Sequence, residues 1–279
     1  MQKVKRILKI IFIIIILLIT VAIGFTLIFG EKIEGIILNK INNKLESEIS
    51  VSDVSFSLFS NFPNACVHFN DILINSSDTS ITDTLFYSSS GFIELNIIDL
   101  IKKDYSIRDM SFENSNLNIT YNENGVSNFN IFSDSNKNNL KIENVLFTNC
   151  EFLYLNVQQN NKIENTLNKL NLVLKNEKKN YSISVDANIF SNHIMLDNED
   201  YIENKEVSFS SVIDILGDII LIKSEKINIQ DVVFEHINYS YFNEEYQLCL
   251  NTSSKLEDII KSTPSQFQYL FTDHELKGN

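Results

Sequence analysis

The side chains that most often carry chemistry are thinly spread along this chain. Its four histidines, His68, His193, His236 and His274, stand alone, with neither an HxxxH nor an HxH spacing. A metal centre needs several ligands converging on one ion, and scattered imidazoles do not supply them. The three cysteines, Cys66, Cys150 and Cys249, are odd in number, widely separated and without a CxxC pair. They form neither a disulfide framework nor a zinc site, and read as small buried hydrophobes within strands. Acidic pairs such as Glu203/Glu206 and Glu244/Glu245 lie in polar stretches, where solvation is the ordinary state of a carboxylate. No G-x-S-x-G, P-loop or G-x-G-x-x-G run occurs. A nucleophile elbow and a phosphate cradle therefore have no carrier. No catalytic residue, metal ligand or cofactor site is assigned, and a non-enzymatic role is expected.

The remaining pattern is apolar and repeated. IRDMSFENSNLNI at 107–119, IENVLFTNCEFLY at 142–154 and IQDVVFEHINYSY at 229–241 share one order of residue types. Ile is followed two places later by Asp or Asn, then by Met or Val, then by Phe. In the first copy Ile107 has odd parity, whereas Met110 and Phe112 have even parity. The slip at Asp109 predicts a bulge, because an uncompensated slip would turn every later side chain to the other face. A second slip at Asn114-Ser115, before Leu117, Ile119 and Tyr121, predicts a tight hairpin. The unit is thus expected to be a bulged strand, a turn and a returning strand, and His236 occupies the slot of Asn114 and Asn149. FNDILI at 69–74 is a partial echo. Repetition of this kind predicts a sheet grown by copying one unit, although the spacing of the copies is irregular.

The elements that would position this stripe follow from periodicity. Residues 1–9 form a basic segment, and IIFIIIILLITVAIGFTLIFG at 10–30 is uncharged and apolar. About 20 such residues span a bilayer core as one helix, with the basic end inside. A cleaved signal peptide is the alternative, and Ala22-Ile23-Gly24 fits its cleavage rule only weakly. Residues 31–49 carry apolar side chains at helical spacing and predict an amphipathic helix. From residue 50 onward period-2 alternation dominates, as in Tyr181, Ile183, Val185, Ala187 and Ile189. Turn chemistry separates the strands at Asn124-Gly125, Asn160-Asn161, Asp197-Asn198 and Gly217-Asp218. Short helices are expected at 96–104, 253–261 and beyond Thr263-Pro264. The fold class is therefore mainly β: a long, curved, mostly antiparallel, groove-like sheet behind a transmembrane and an amphipathic helix. The net charge of −13 argues against nucleic acid as a partner.

FSLFSNFPNACVHFNDILINSSD at 56–78 resembles the N-terminal region of AsmA-like envelope proteins of Bacteroidota-type bacteria. The resemblance rests on an ordered series: a basic start, one membrane helix, an amphipathic helix and strands around Phe59-Ser60-Asn61-Phe62-Pro63. It continues through 83–132, including the Gly125-x-x-Asn128 step, and returns near 262–278. The chain corresponds to the N-terminal part of the family's usual length. The resemblance implies a single-pass protein of the cytoplasmic membrane, N-terminus inside, with residues 50–279 as a periplasmic AsmA-like β domain. It also implies a lipid-handling role in phospholipid transport or outer-membrane biogenesis. On that reading Phe56, Leu58, Phe69, Phe112, Leu117, Ile119, Phe147, Phe152, Phe234 and Tyr239 share one side of the sheet and contact phospholipid acyl chains. The partners would be membrane lipid, the cytoplasmic membrane and other envelope proteins. The alternatives are a membrane-tethered β-sandwich scaffold, in which the same residues form a closed core, and an assembly factor for outer-membrane proteins.

Overall fold

The computed structural model describes residues 49–61, 64–96, 107–130, 142–177, 180–242, 245–255 and 257–259. Twelve strands form one long, curved, mixed sheet. They are β1 (Ile49–Ser50), β2 (Asp53–Asn61), β3 (Asn64–Asn75), β4 (Thr84–Asn96), β5 (Ile107–Tyr121) and β6 (Asn144–Asn156) in the first half. The second half holds β7 (Asn161–Glu177), β8 (Asn180–Leu196), β9 (Glu199–Leu216), β10 (Ile219–Ile229), β11 (Val232–Phe242) and β12 (Glu245–Thr252). Spatial order follows chain order from β3 to β12, and β1 and β2 both pair with β3. Every pairing is antiparallel except β5 with β6. The β-rich, mostly antiparallel expectation is met.

The four expected turn dipeptides all lie at turns, Asn161 being the residue that opens β7. Asn160, Asp197, Asn198, Gly125 and Gly217 have positive φ there, the conformation for which Asn, Asp and Gly are suited. The helices read over 10–30 and 31–48 and beyond 263 fall outside the described residues, as does 97–104. Ile49, expected to close the amphipathic helix, begins β1 instead. Within 253–261 one helical turn is described at 257–259, where Asp258 N and Ile259 N donate to Lys255 O. Among the described residues no helix is long and apolar enough to cross a membrane.

The repeated phrase is not a hairpin. The first two copies lie within β5 and β6 or at the lead-in, and the third starts at Ile229, the end of β10, and crosses a turn at Gln230-Asp231 into β11. The second slip is a single residue with left-handed backbone: φ is 49° at Asn114, 53° at Asn149 and 53° at His236. Such a residue lets two successive side chains point outward and resets the alternation without reversing the chain. In β5, Glu113 and Asn114 are both exposed, whereas Ser115 is buried. Asp71, with φ 49°, does the same in the partial echo. These left-handed residues stand in line with Ser89 and Asn168: Asp71, Ser89, Asn114, Asn149 and Asn168 are unpaired positions at one height across β3 to β7, between pairs that flank them on both sides. All five strands therefore reset at the same height, and the apolar face stays on one side. The first slip is a true bulge in β5, because Asp109 pairs with Glu94 and Ile107 with Leu95, leaving Arg108 extra.

The parallel pairing explains why two copies are so alike. Asp109 lies opposite Asn144, Phe112 opposite Phe147 and Leu117 opposite Phe152. Equivalent residues of the two copies thus stack at equal height. The connecting chain is pinned by Asn128, which is fully buried. Its Oδ1 accepts from Thr120 N at 2.9 Å, and its Nδ2 donates to Asn118 O at 2.9 Å. Its backbone N–H donates to Thr120 O, and its carbonyl accepts from Ser77 N. A buried amide with every partner made is a stable wedge under a loop.

Candidate functional site

Residues directly opposed on neighbouring strands project to the same face. Following the pairs across the sheet gives one unbroken row: Val54, Phe69, Gly91, Phe112, Phe147, Leu170, Ala187, Phe209, Ile227, Phe234 and Thr252. At ~4.8 Å per strand the row runs for about 50 Å. Four of the residues singled out from sequence, Phe69, Phe112, Phe147 and Phe234, stand in it. Leu117 and Phe152 are paired in a second row on the same face, and Ile119 pairs with Tyr154 in a third. Phe56 pairs with Val67 on the other flank. Tyr239 aligns with Ile222 and Leu248. The side chain of Leu58 lies outside those described. Sequence reading missed Gly91, Leu170, Ala187, Phe209 and Ile227, because each lies outside the repeated phrase and only pairing register joins it to the row.

The face is sealed at one end and open at the other. Around β2 to β5, Phe56, Val67, Phe69, Phe86, Ile93 and Leu95 form a buried cluster. Phe86 meets Phe112 edge-on at 5.1 Å, and Phe112 stacks on Phe147 at 5.4 Å. Gly91 makes room here: a Cβ would press on the tip of the Ile72 side chain, which would have to shift, and would lie 3.4 Å from the Phe112 ring. A second cluster holds Cys150, Leu167, Ala187, Ile189 and Val207, with Phe152 and Phe209 against it. Toward β12 the cover thins. On the inner face Leu174, Tyr181 and Leu248 are 37%, 48% and 55% exposed. Solvent-facing apolar area of this kind needs a partner when it is contiguous.

The opposite face is polar and locally bonded. Asn149 Nδ2 donates to Asn114 Oδ1 at 2.6 Å, and Ser52 Oγ and Tyr87 OH both donate to Asp71. The bond to the Asp71 carboxylate raises the Tyr87 phenol above its ordinary pKa. His193 Nε2 lies 2.6 Å from Asp200 Oδ1, and His68 Nε2 lies 3.0 Å from Ser90 Oγ. His236 is exposed at its left-handed position, in keeping with a turn or solvent-facing role. A cavity of about 150 Å³ at β10 to β12 is lined chiefly by this face, through Leu221, Lys223, Asn238 and Gln247. It is separate from the apolar row.

Among the described residues no group of His, Cys, Asp and Glu could hold a metal ion. Cys66 and Cys150 are buried as expected, but Cys249 is exposed. The expectation that all three are buried fails at Cys249 because it stands on the last strand of the sheet, opposite Asn238 on the polar face. Burial, and then the charge of Glu94, raise the Cys66 thiol from 9.0 to about 11. Burial likewise raises Cys150. Neutral, buried thiols are packing groups rather than nucleophiles. No family model and no curated protein matches this chain.

Proposed function

We propose that this chain is a membrane-anchored envelope protein, similar to the AsmA-like family, whose apolar β-face accommodates the acyl chains of phospholipid. Its role would lie in phospholipid transport or outer-membrane biogenesis at the bacterial cytoplasmic membrane. The observation that carries this reading is the unbroken apolar row across the sheet, whose cover thins from β2 toward β12. A side chain of this size loses about 1.5–3 kcal/mol when left in water rather than buried. Acyl chains laid along the open part would regain that energy, while their headgroups stayed in water beside the polar rim. No bond is made or broken in this scheme. The 10–30 segment would hold the sheet at the bilayer, and lipid would move along the row because wetting it costs more.

A second reading has its own support. The interlocked Phe86, Phe112 and Phe147 rings favour a closed core at the β2 to β6 end, as a tethered scaffold would need. One experiment separates the two. The full chain is purified in detergent, extracted with solvent and searched for phospholipid by mass spectrometry, and transfer between donor and acceptor vesicles is followed. Co-purifying diacyl lipid and accelerated transfer are expected. Absence of both removes the lipid reading and leaves the scaffold.

A further inference from the structure

Among the described residues, β12 has a neighbouring strand on one side alone. The direction of its backbone groups follows from β11. Ile229 and Val232 flank the two-residue turn between β10 and β11, so Val232 points its backbone groups at β10. Val233 then points its own at β12, where its N–H donates to Ser254 Oγ and its carbonyl accepts from Thr252 Oγ1, each at 2.7 Å. Glu235 shares that direction and pairs with Asn251. The irregularity of this pairing adds a residue to β11, between Glu235 and Asn238, and leaves the alternation of β12 unbroken. Asn251, Cys249 and Gln247 thus turn their backbone groups to β11, and Tyr246, Leu248, Leu250 and Thr252 turn theirs to the free edge.

A row of open donors and acceptors pairs with another strand unless lysine, proline or a bulge guards it. β12 has none of these: it reads EYQLCLNT, and its single charge is Glu245 at the start. The opposite edge of the sheet, by contrast, is interrupted between Ser57 and Asn61 of β2. Leu248 is also the most exposed large apolar side chain among the described residues. The strand is complementary to itself when turned end for end. Parallel pairing of two copies would set Glu245 against Glu245. Antiparallel pairing about Cys249 sets Glu245 at the height of the uncharged Ser253, Leu248 at that of Leu250, and Tyr246 at that of Thr252. All four edge-directed residues then fall in doubly hydrogen-bonded pairs. The two-fold axis stands perpendicular to the sheet, so the apolar faces of both copies lie on one side and the row continues across the junction. Cys249 meets its own copy at the centre, in a non-hydrogen-bonded pair whose Cα atoms sit about 4.5 Å apart, within disulfide reach.

We propose that β12 is the interface of a two-fold dimer, in which two copies of this chain join edge to edge, antiparallel and centred on Cys249. It does not depend on the acyl-binding reading above. The full chain is purified in detergent under reducing conditions and the mass of its protein part is taken by light scattering. Copper–phenanthroline is then added as oxidant, and the product is run on a non-reducing gel. Twice the mass of the chain and a disulfide-linked dimer are expected, since Cys249 is the exposed thiol. Position 247 lies on the same face but opposite Asn251 of the other copy. Gln247→Cys in a Cys249→Ser background should therefore cross-link at least about tenfold more slowly. Leu248→Pro removes an N–H from the free edge alone, where proline is tolerated, and Leu248→Lys adds a guarding charge. Both variants should keep the circular dichroism of the wild type and lose the cross-link. A monomeric mass overturns the proposal. With Cys249 open to a thiol reagent it leaves the edge to a different protein, and with Cys249 shielded it leaves the edge to other residues of the same chain. Equal cross-linking at positions 247 and 249, or a cross-link that survives both Leu248 variants, overturns it too and marks chance collision.

Discussion

Cys66 shows how a residue without chemistry still reports on the fold. Burial first, and Glu94 second, raise its thiol from 9.0 to about 11. In the unfolded chain the thiol ionises at its ordinary value, so between these limits the folded chain holds more protons than the unfolded one. Stability from the neutral thiol is full below pH 9.0 and is lost as pH rises toward about 11. Urea midpoints measured across that window should fall with pH, and Cys66→Ala should flatten the fall. In the native chain at mildly alkaline pH only Cys249 should react with a thiol reagent, because Cys66 and Cys150 are buried. The wide scatter of the histidines and cysteines was legible from spacing alone. The exposure of Cys249 was not, since alternation assigns a face and not the depth of cover.

At the scale of elements the left-handed positions matter most. Asn114 and Asn149 hold φ near 50° in mid-strand and keep five strands in step. A β-branched side chain at such a φ costs about 1–2 kcal/mol, whereas glycine is at ease there. Asn114→Val should therefore lower unfolding free energy by about 1–2 kcal/mol. Asn114→Gly should stay within about 0.5 kcal/mol of wild type, both read from denaturant titration. Comparable losses in the two variants would mean that the Asn149 hydrogen bond, rather than the backbone, is what the position supplies. The repeated phrase announced this device, including the slip itself. The phrase alone predicts a hairpin because a parity slip looks the same whether the chain reverses or carries one left-handed residue. Only pairing with neighbours tells the two apart.

At the scale of the molecule the sheet grades from a sealed end to an open one. Phe86→Ala, in the interlocked cluster, should cost about 3–5 kcal/mol of stability. Leu248→Ala, at an exposed position, should cost below about 1 kcal/mol. If the open end receives acyl chains, Leu248→Asp should reduce lipid recovery from the full chain while leaving its denaturation midpoint nearly unchanged. Unchanged recovery would move the acyl-binding surface away from β12. A scaffold with a closed core predicts no lipid effect from either residue, only the difference in stability.

Sequence alone determined the β class, the four turn dipeptides and the strand alternation. It also singled out Phe69, Phe112, Phe147 and Phe234 as apolar positions of one face. These are local properties: alternation and turn preference depend on a few neighbouring residues. Only the tertiary structure decided that Gly91, Leu170, Ala187, Phe209 and Ile227 complete their row and that β5 and β6 run parallel. Each depends on which strands lie side by side and in what register. That is set by the summed burial and hydrogen bonding of whole strands, which no short stretch of residues contains.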